Sequence, residues 1–411
     1  MMNGAGATRQ DATIRTYLVP VTSPCADEHH ERCSHQNSVR GPATANHPTN
    51  APTLTGHIEL NRPGSLNALD VHMVETMLKV LHEWRNSGVR SVIIRSSQEA
   101  SARRPVFCSG GDVIQVVQRG MKGDVEWGLR YFTSEYHLNM LLATLSESGV
   151  EVVAVNDGIT FGGGVGVSIH NRYQICTERT VFAMPECPIG LFPDVGGSYF
   201  LSRRGALGLY LALCGARLHG LDVKKAGFAT HYVHSSRLQG VLDSISSHGC
   251  VKRALDEGER QSLDGRTLQD SSREGYQAFP FDLDLGEVFQ YDSTVEEIVE
   301  GCRRKAAGGD TFWVAAGDSL GRASPTSLLV TLEMLRRGRK MPLAECLRQE
   351  NRVIQRLTRD TASDFYRGVQ ARLIRKDGEP KWGPIRDANG LLEPLEAHHE
   401  LQLDVRCGGR L

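Results

Sequence analysis

From about Gly56 onward, apolar residues recur in two alternating rhythms, short β-branched runs and longer stretches at helical spacing. His57-Ile58-Glu59-Leu60 alternates as a strand does, and Asn61-Arg62-Pro63-Gly64 turns the chain. Val71, Val74, Met77, Leu78, Leu81 and Trp84 then fall on one helical face, and Ser91-Val92-Ile93-Ile94-Arg95 reads as the next strand. Strand, helix and strand in this order predict a parallel βαβ unit and an α/β fold. Val106-Phe107-Cys108 is an apolar strand tip ended by Ser109-Gly110-Gly111-Asp112, with a helix-like stretch behind it. Val150 to Val155 is short enough for a buried strand and breaks at Asn156-Asp157-Gly158. Gly162, Gly163 and Gly164 follow, and Val165 to His170 reads as the first turns of a helix. Leu207 to Leu213, Leu328 to Leu335 and Leu343 to Leu357 carry helical spacing, whereas residues 240 to 310 read as mixed and polar.

The first 53 residues are rich in Thr, Asn, Pro, His and Ala and hold one plausible strand, Thr13 to Val19. The remainder of that segment has too little apolar surface to offset the entropy of ordering, so a loop-like or disordered extension is expected. The expected organisation is this extension (1–53), an α/β core (54–310) and a helical C-terminal region (311–400), which the resemblance given below implies covers the site.

Composition narrows the partners. With a net charge of −1 and a pI near 6.9 there is no general electrostatic reason to bind nucleic acid or an anionic membrane surface. No apolar run reaches the ~20 residues that span a bilayer. Ten cysteines lie scattered without CxxC spacing, which predicts reduced thiols in an intracellular compartment. His29, His30, Cys33 and His35 sit close together, but no second ligand pair follows at zinc-finger spacing, so no metal site is expected.

The candidate chemistry lies between Glu151 and Phe200. Glycines opening a helix leave backbone N–H groups unpaired at the positive end of a helix dipole, a place suited to a negative oxygen. Glu186, within Phe182-Ala183-Met184-Pro185-Glu186, and Asp194, within Leu191-Phe192-Pro193-Asp194-Val195-Gly196-Gly197, have neighbours that suit a partly desolvated cleft. There carboxyl pKa values rise and acid/base or nucleophilic work becomes available. Two other motifs carry less. Gly162 to Gly166 has G-x-G-x-G rather than G-x-G-x-x-G spacing and lacks a following Lys-Ser/Thr pair, so neither NAD nor ATP is indicated. Gly317-Asp318-Ser319-Leu320-Gly321 fits a nucleophile elbow, but Gly308-Gly309-Asp310 upstream is a helix start rather than a strand, so the match is read as chance.

Taken together, Phe107 to Asp112, Gly162-Gly163-Gly164 and Met184-Pro185-Glu186 resemble the crotonase (enoyl-CoA hydratase/isomerase) superfamily. Ile159 to Gly166, Gly190 to Gly197, Ala229-Thr230-His231 and Ala323 to Leu328 look like its 3-hydroxyisobutyryl-CoA hydrolase branch, and the likeness runs from about Gly56 to Trp382. The resemblance implies a spiral of ββα units with a helical C-terminal region. It also implies an acyl-CoA substrate whose thioester oxygen sits between the N–H groups of Gly111 and Gly163. Glu186 and Asp194 are the implied catalytic pair, with Glu135 near the substrate; read from the sequence alone, Glu135 fits a solvated helix carboxylate equally well. A hydratase of this family would carry a second glutamate where this chain has Gly166, so thioester hydrolysis in valine breakdown is favoured. A hydratase or isomerase and a non-catalytic scaffold are the alternatives, told apart by hydration of an enoyl-CoA and by binding without turnover. Beyond CoA as part of the substrate, no cofactor is implied. Arg62, Arg103 and Arg104 are candidates for its phosphates. The family implies mitochondria, ahead of a peroxisomal, glycosomal or cytoplasmic location; a homo-oligomer is left open.

Overall fold

The computed structural model describes residues 9–10, 13–23, 53–97, 105–264 and 278–403. Eleven strands are described, in two sheets. The larger sheet holds β1 (Arg9–Gln10), β2 (Ile14–Pro20), β3 (Leu54–Leu60), β4 (Val89–Ser96), β6 (Glu151–Asn156), β8 (Tyr173–Cys176) and β11 (His231–Tyr232), in the order β1-β2-β3-β4-β6-β8-β11. The smaller holds β5 (Val106–Cys108), β7 (Ile159–Phe161), β9 (Val181–Ala183) and β10 (Leu218–His219), in the order β10-β9-β7-β5. β4, β6 and β8 are parallel neighbours in the first sheet, and each is followed in sequence by a strand of the second, β5, β7 and β9. With the intervening helices this is the ββα repetition that the resemblance implies.

The predicted βαβ unit is present. Helix α1 (Val71–Arg85) begins at Asp70, whose side chain accepts from the Met73 N–H at 2.9 Å, and it buries Met73, Val74, Met77, Val80, Leu81 and Trp84. β3 and β4 on either side of it pair in parallel. The Thr13–Val19 strand is present as β2, antiparallel to β3. The strand read at His57 to Leu60 is present within β3, which is buried from Thr55 to Leu60. Helix α1 packs on it, and so does a later helix from the stretch expected to be merely polar.

That stretch is largely helical, with Ser235–His248, Val251–Ser262 and Val295–Ala306. Leu238, Val241, Leu242 and Ile245 are buried at i, i+3, i+4 and i+7, together with Val251, Ala254 and Leu255. They close over Ile93, Val153, Val155, Tyr173 and Ile175 of the larger sheet as a second core. The main core runs from Ile14 through Leu403, so the C-terminal helices share it with the sheets.

Ser319 lies within the helix Thr311–Arg322 and donates to the Ala315 carbonyl at 2.8 Å, so it is no nucleophile elbow. The six cysteines at 108, 176, 187, 214, 302 and 346 are free and buried. Cys250 is disulfide-bonded, a departure from the reduced thiols expected. The His29 to His35 cluster and Arg103 and Arg104 lie outside the described residues. No helix among those residues is long and apolar enough to cross a membrane.

Candidate active site

Two glycine turns meet at the β5–β7 edge of the smaller sheet. Strand β5 ends at Cys108, and the chain passes through Gly110 at φ 113° to Gly111, after which Asp112 caps helix Val113–Gly120 by accepting from the Gln115 N–H at 3.1 Å. The neighbouring β7 ends at Phe161, and Gly162 at φ 47° turns the chain into helix Gly163–Ile169. Such angles strain any residue carrying a Cβ. Among the described residues the N–H groups of Gly111 and Gly163 have no acceptor. They are close: a Cβ placed on Gly163 would lie 3.1 Å from the Gly111 nitrogen and would collide with Glu135 Oε1.

The Gly111 turn is held from outside. Leu69 donates to the Gly110 carbonyl at 2.9 Å, and the Asp112 N–H donates back to Leu69 at 2.8 Å. Arg62 reaches Asp112 at 2.7 Å and Asp70 at 3.6 Å. Its guanidinium thus braces this turn, and Arg62 also lines the cavity described below. Asn67 Nδ2 adds bonds of 3.0–3.3 Å to Ser96 Oγ and to the carbonyls of Val106 and Phe107.

Three carboxyl groups face this pair of N–H groups. Glu186 follows β9 and opens a single turn, Cys187–Ile189; its Oε2 is buried without a hydrogen-bond partner and its Oε1 lies 2.7 Å from where a Cβ on Gly162 would stand. Asp194 accepts from the Tyr136 hydroxyl at 3.0 Å. Glu135 lies on the buried helix Val125–Thr144, between Tyr131 and Asn139, and is only 1% exposed, which excludes a solvated surface carboxylate. All three line one cavity of about 720 Å³ with Gly111, Gly163, Phe132, Phe161 and Leu191. Leu373 and Lys376, from the C-terminal region, line it as well.

Burial decides the charge of this cluster. Removal from water pushes Glu135 and Glu186 well above the usual carboxyl range, and the charge of Asp194 adds to both. Asp194 itself is pushed up to about 7 by burial, against the opposing Tyr136 hydrogen bond. Three neighbouring acids buried in one pocket do not all ionise together at neutral pH.

This has a consequence for stability. Because the folded value of Asp194 exceeds its ordinary 3.8, the folded protein keeps that proton between about pH 4 and pH 7 while the unfolded chain releases it. Stability therefore falls as pH rises through this window and stays reduced above it. Asp194→Asn is expected to raise the melting temperature at pH 8 but not at pH 4, by the equivalent of up to about 4 kcal/mol. Equal melting temperatures for variant and parent at pH 8 would contradict this.

Gly166 has no room for a side chain. A Cβ there would lie 2.6 Å from Val195 Cβ and 2.9 Å from Asn139 Nδ2. A second glutamate at this position, as a hydratase of the family would need, does not fit beside Val195.

Thus all five expected residues, Gly111, Glu135, Gly163, Glu186 and Asp194, come together in one cavity. Tyr136, which orients Asp194, had no sequence signal beyond adjacency to Glu135. The group Glu396, His398 and His399, whose ligand atoms are spaced as a metal site would need, is exposed and lies outside the cavity.

The pattern of the family described as Enoyl-CoA hydratase/isomerase matches residues 55–389. A relative from Xenopus laevis, named 3-hydroxyisobutyryl-CoA hydrolase, mitochondrial, is 40% identical over 340 residues, covering 80% of this chain and 82% of that protein. Small ribosomal subunit protein mS47 of Neurospora crassa is 38% identical over 347 residues, 80% of this chain and 65% of that protein. Among solved structures, a carnitinyl-CoA dehydratase from Mycobacterium thermoresistibile is 32% identical with a TM-score of 0.71, covering 85% of this chain and 96% of that one.

Proposed function

Since the chain belongs to the enoyl-CoA hydratase/isomerase family, we propose that it hydrolyses the thioester of (S)-3-hydroxyisobutyryl-CoA, giving 3-hydroxyisobutyrate and free CoA, a step of valine breakdown. The observation that carries this reading is the pairing of two unsatisfied backbone N–H groups with Glu186 and Asp194, in a site where Gly166 leaves no space for a second hydratase glutamate.

The thioester carbonyl lies between Gly111 and Gly163. As oxygen adds to the carbonyl carbon, negative charge grows on the carbonyl oxygen, and the two preorganised donors stabilise it without having to reorient. Glu186 acts beside them, either attacking the carbon to give a transient anhydride or taking the proton of the attacking water. In both routes the C–S bond breaks and the CoA thiolate takes up a proton; the new oxygen of the acid comes directly from water in the general-base route, and from Glu186, whose lost oxygen water then replaces, in the anhydride route. Oxygen-18 from labelled water in the Glu186 carboxyl after turnover identifies the anhydride route. Asp194, held by Tyr136, orients the substrate 3-hydroxyl or the water and returns a proton to the thiolate. Glu135 completes the polar wall around the acyl group. The chemistry needs no metal and no cofactor beyond the CoA of the substrate, and the mitochondrial name of the frog relative supports the same compartment here.

A site that hydrogen-bonds a substrate hydroxyl discriminates strongly against the analogue lacking it, because its buried polar groups are then left unpaired. The kcat/KM for (S)-3-hydroxyisobutyryl-CoA is expected to exceed that for isobutyryl-CoA by about 10²-fold or more. Comparable values would sink the assigned acyl group while leaving thioester hydrolysis standing.

The likeness to mS47 favours a second reading, a scaffold in a larger assembly. Three partly protonated acids in a dry pocket lower stability, and a scaffold has no use for that cost. Binding of the acyl-CoA with no thiol release would nevertheless favour the scaffold.

A further inference from the structure

The loop that presents Asp194 does not hold its shape by itself. Val195 has φ 50° and Gly196 has φ 82°. Left-handed backbone is unfavourable for a β-branched residue and persists only where the surroundings impose it. Two elements do so. His170, kept neutral by burial with its pKa lowered to about 4, donates from Nε2 to the Val195 carbonyl at 2.7 Å. The second element is the C-terminal helix Leu343–Arg359, whose Glu350 is fully buried. Glu350 Oε2 accepts from the Gly196 N–H at 2.8 Å, and its Oε1 accepts from the Ser198 N–H at 2.9 Å and the Ser198 hydroxyl at 2.6 Å. Gln349 steadies the same hydroxyl from Nε2 at 3.0 Å.

Resting on the assignment of Asp194 above, we propose that Glu350 is a positioning residue for thioester hydrolysis, fixing Asp194 against the bound acyl group by clamping residues 196–198 from the C-terminal helix. Glu350 is not among the residues lining the cavity and touches no reacting atom. All three donors converge on its two oxygens, so the clamp works through acceptance by the carboxyl group. An amide of the same shape must turn its NH₂ toward either the Gly196 N–H or the Ser198 donors and so loses one side of the grip. Burial raises the Glu350 pKa to about 8, and the three donors and the nearby Asp194 act on it in opposite directions. The C-terminal region therefore holds the Asp194 loop from behind as well as lining the cavity through Leu373 and Lys376.

The test is a double-mutant cycle on kcat and KM for CoA release from (S)-3-hydroxyisobutyryl-CoA, with wild type, Glu350→Gln, Asp194→Asn and the double variant. A misplacement of about 1 Å can cost about 10²-fold in rate. Glu350→Gln is expected to lower kcat about 10- to 100-fold with KM changed less than about threefold. In the Asp194→Asn background the same substitution is expected to cost less than about twofold, because the group it positions is already disabled. Equal losses in both backgrounds would show a merely structural role and overturn the proposal, as would an unchanged kcat in Glu350→Gln while Asp194→Asn is impaired. An unimpaired Asp194→Asn would instead bring down the site assignment, and the proposal with it. Should Glu350→Gln fail to fold, Ser198→Ala removes one donor and leaves the carboxyl group in place. Its kcat is then expected to fall several-fold at unchanged KM, and full activity there would overturn the clamp.

Discussion

Glu186→Gln is expected to lower CoA release from (S)-3-hydroxyisobutyryl-CoA by about 10³-fold or more, whichever of its two roles Glu186 plays. The amide keeps the shape of the side chain but can neither attack a carbonyl carbon nor accept a proton. Its fold should survive, since Glu186 Oε2 has no hydrogen-bond partner to lose and a neutral group is easier to bury than an acid. The parent enzyme should also show a characteristic pH profile. Burial, and then the charges of Asp194 and Glu135, hold the Glu186 proton on well above the usual carboxyl range. Activity requires that proton to leave, so kcat/KM should climb as pH rises above the usual carboxyl range. Rapid kinetics across pH 5 to 9 check both points. A fully active Glu186→Gln would remove the carboxylate from the mechanism.

Gly163→Ala is the second large effect. Gly163 is the first residue of its helix and does not have a left-handed φ, so alanine suits the local backbone and is the better helix former. The trouble is space: the new methyl would stand 3.1 Å from the Gly111 nitrogen and against Glu135 Oε1, filling the gap where the thioester oxygen binds. Loss of one oxyanion donor costs about 10²–10³-fold in kcat, and blocking the gap between two donors should cost at least as much. Thiol release falling by that factor, with the circular dichroism of the parent, is the expected result. Undiminished turnover would show that the thioester carbonyl binds elsewhere.

Most of the site was legible because its parts are local motifs. Gly110-Gly111 and Gly162-Gly163-Gly164 advertise sharp turns after strand tips, and Glu186 and Asp194 stand out as acids among apolar, Pro and Gly neighbours. Glu135 was half legible. Helical spacing told which residues share a face with it, but only the packing of Val125–Thr144 shows that this face is buried. Tyr136 and Glu350 were not legible as site residues, because their partners lie 58 and 154 residues away and no pattern within a helix encodes such a contact. In the fold, Ser235–His248 and Val251–Ser262 escaped notice because their exposed faces are dense in polar residues, diluting a narrow apolar stripe. The strand His57 to Leu60 was legible, but the burial of both its faces was not: helices pack on it, and even Glu59 is buried, neutralised by Arg95 at 2.7 Å.

The absence of space at Gly166 links the geometry to the choice between two reactions. The most direct measurement sets CoA thiol release from (S)-3-hydroxyisobutyryl-CoA beside hydration of crotonyl-CoA by the same purified protein. Two backbone donors, Glu186 and Asp194, with no second hydratase glutamate, predict fast thiol release and no hydration. Hydration without thiol release would contradict that account and return the chain to the hydratases.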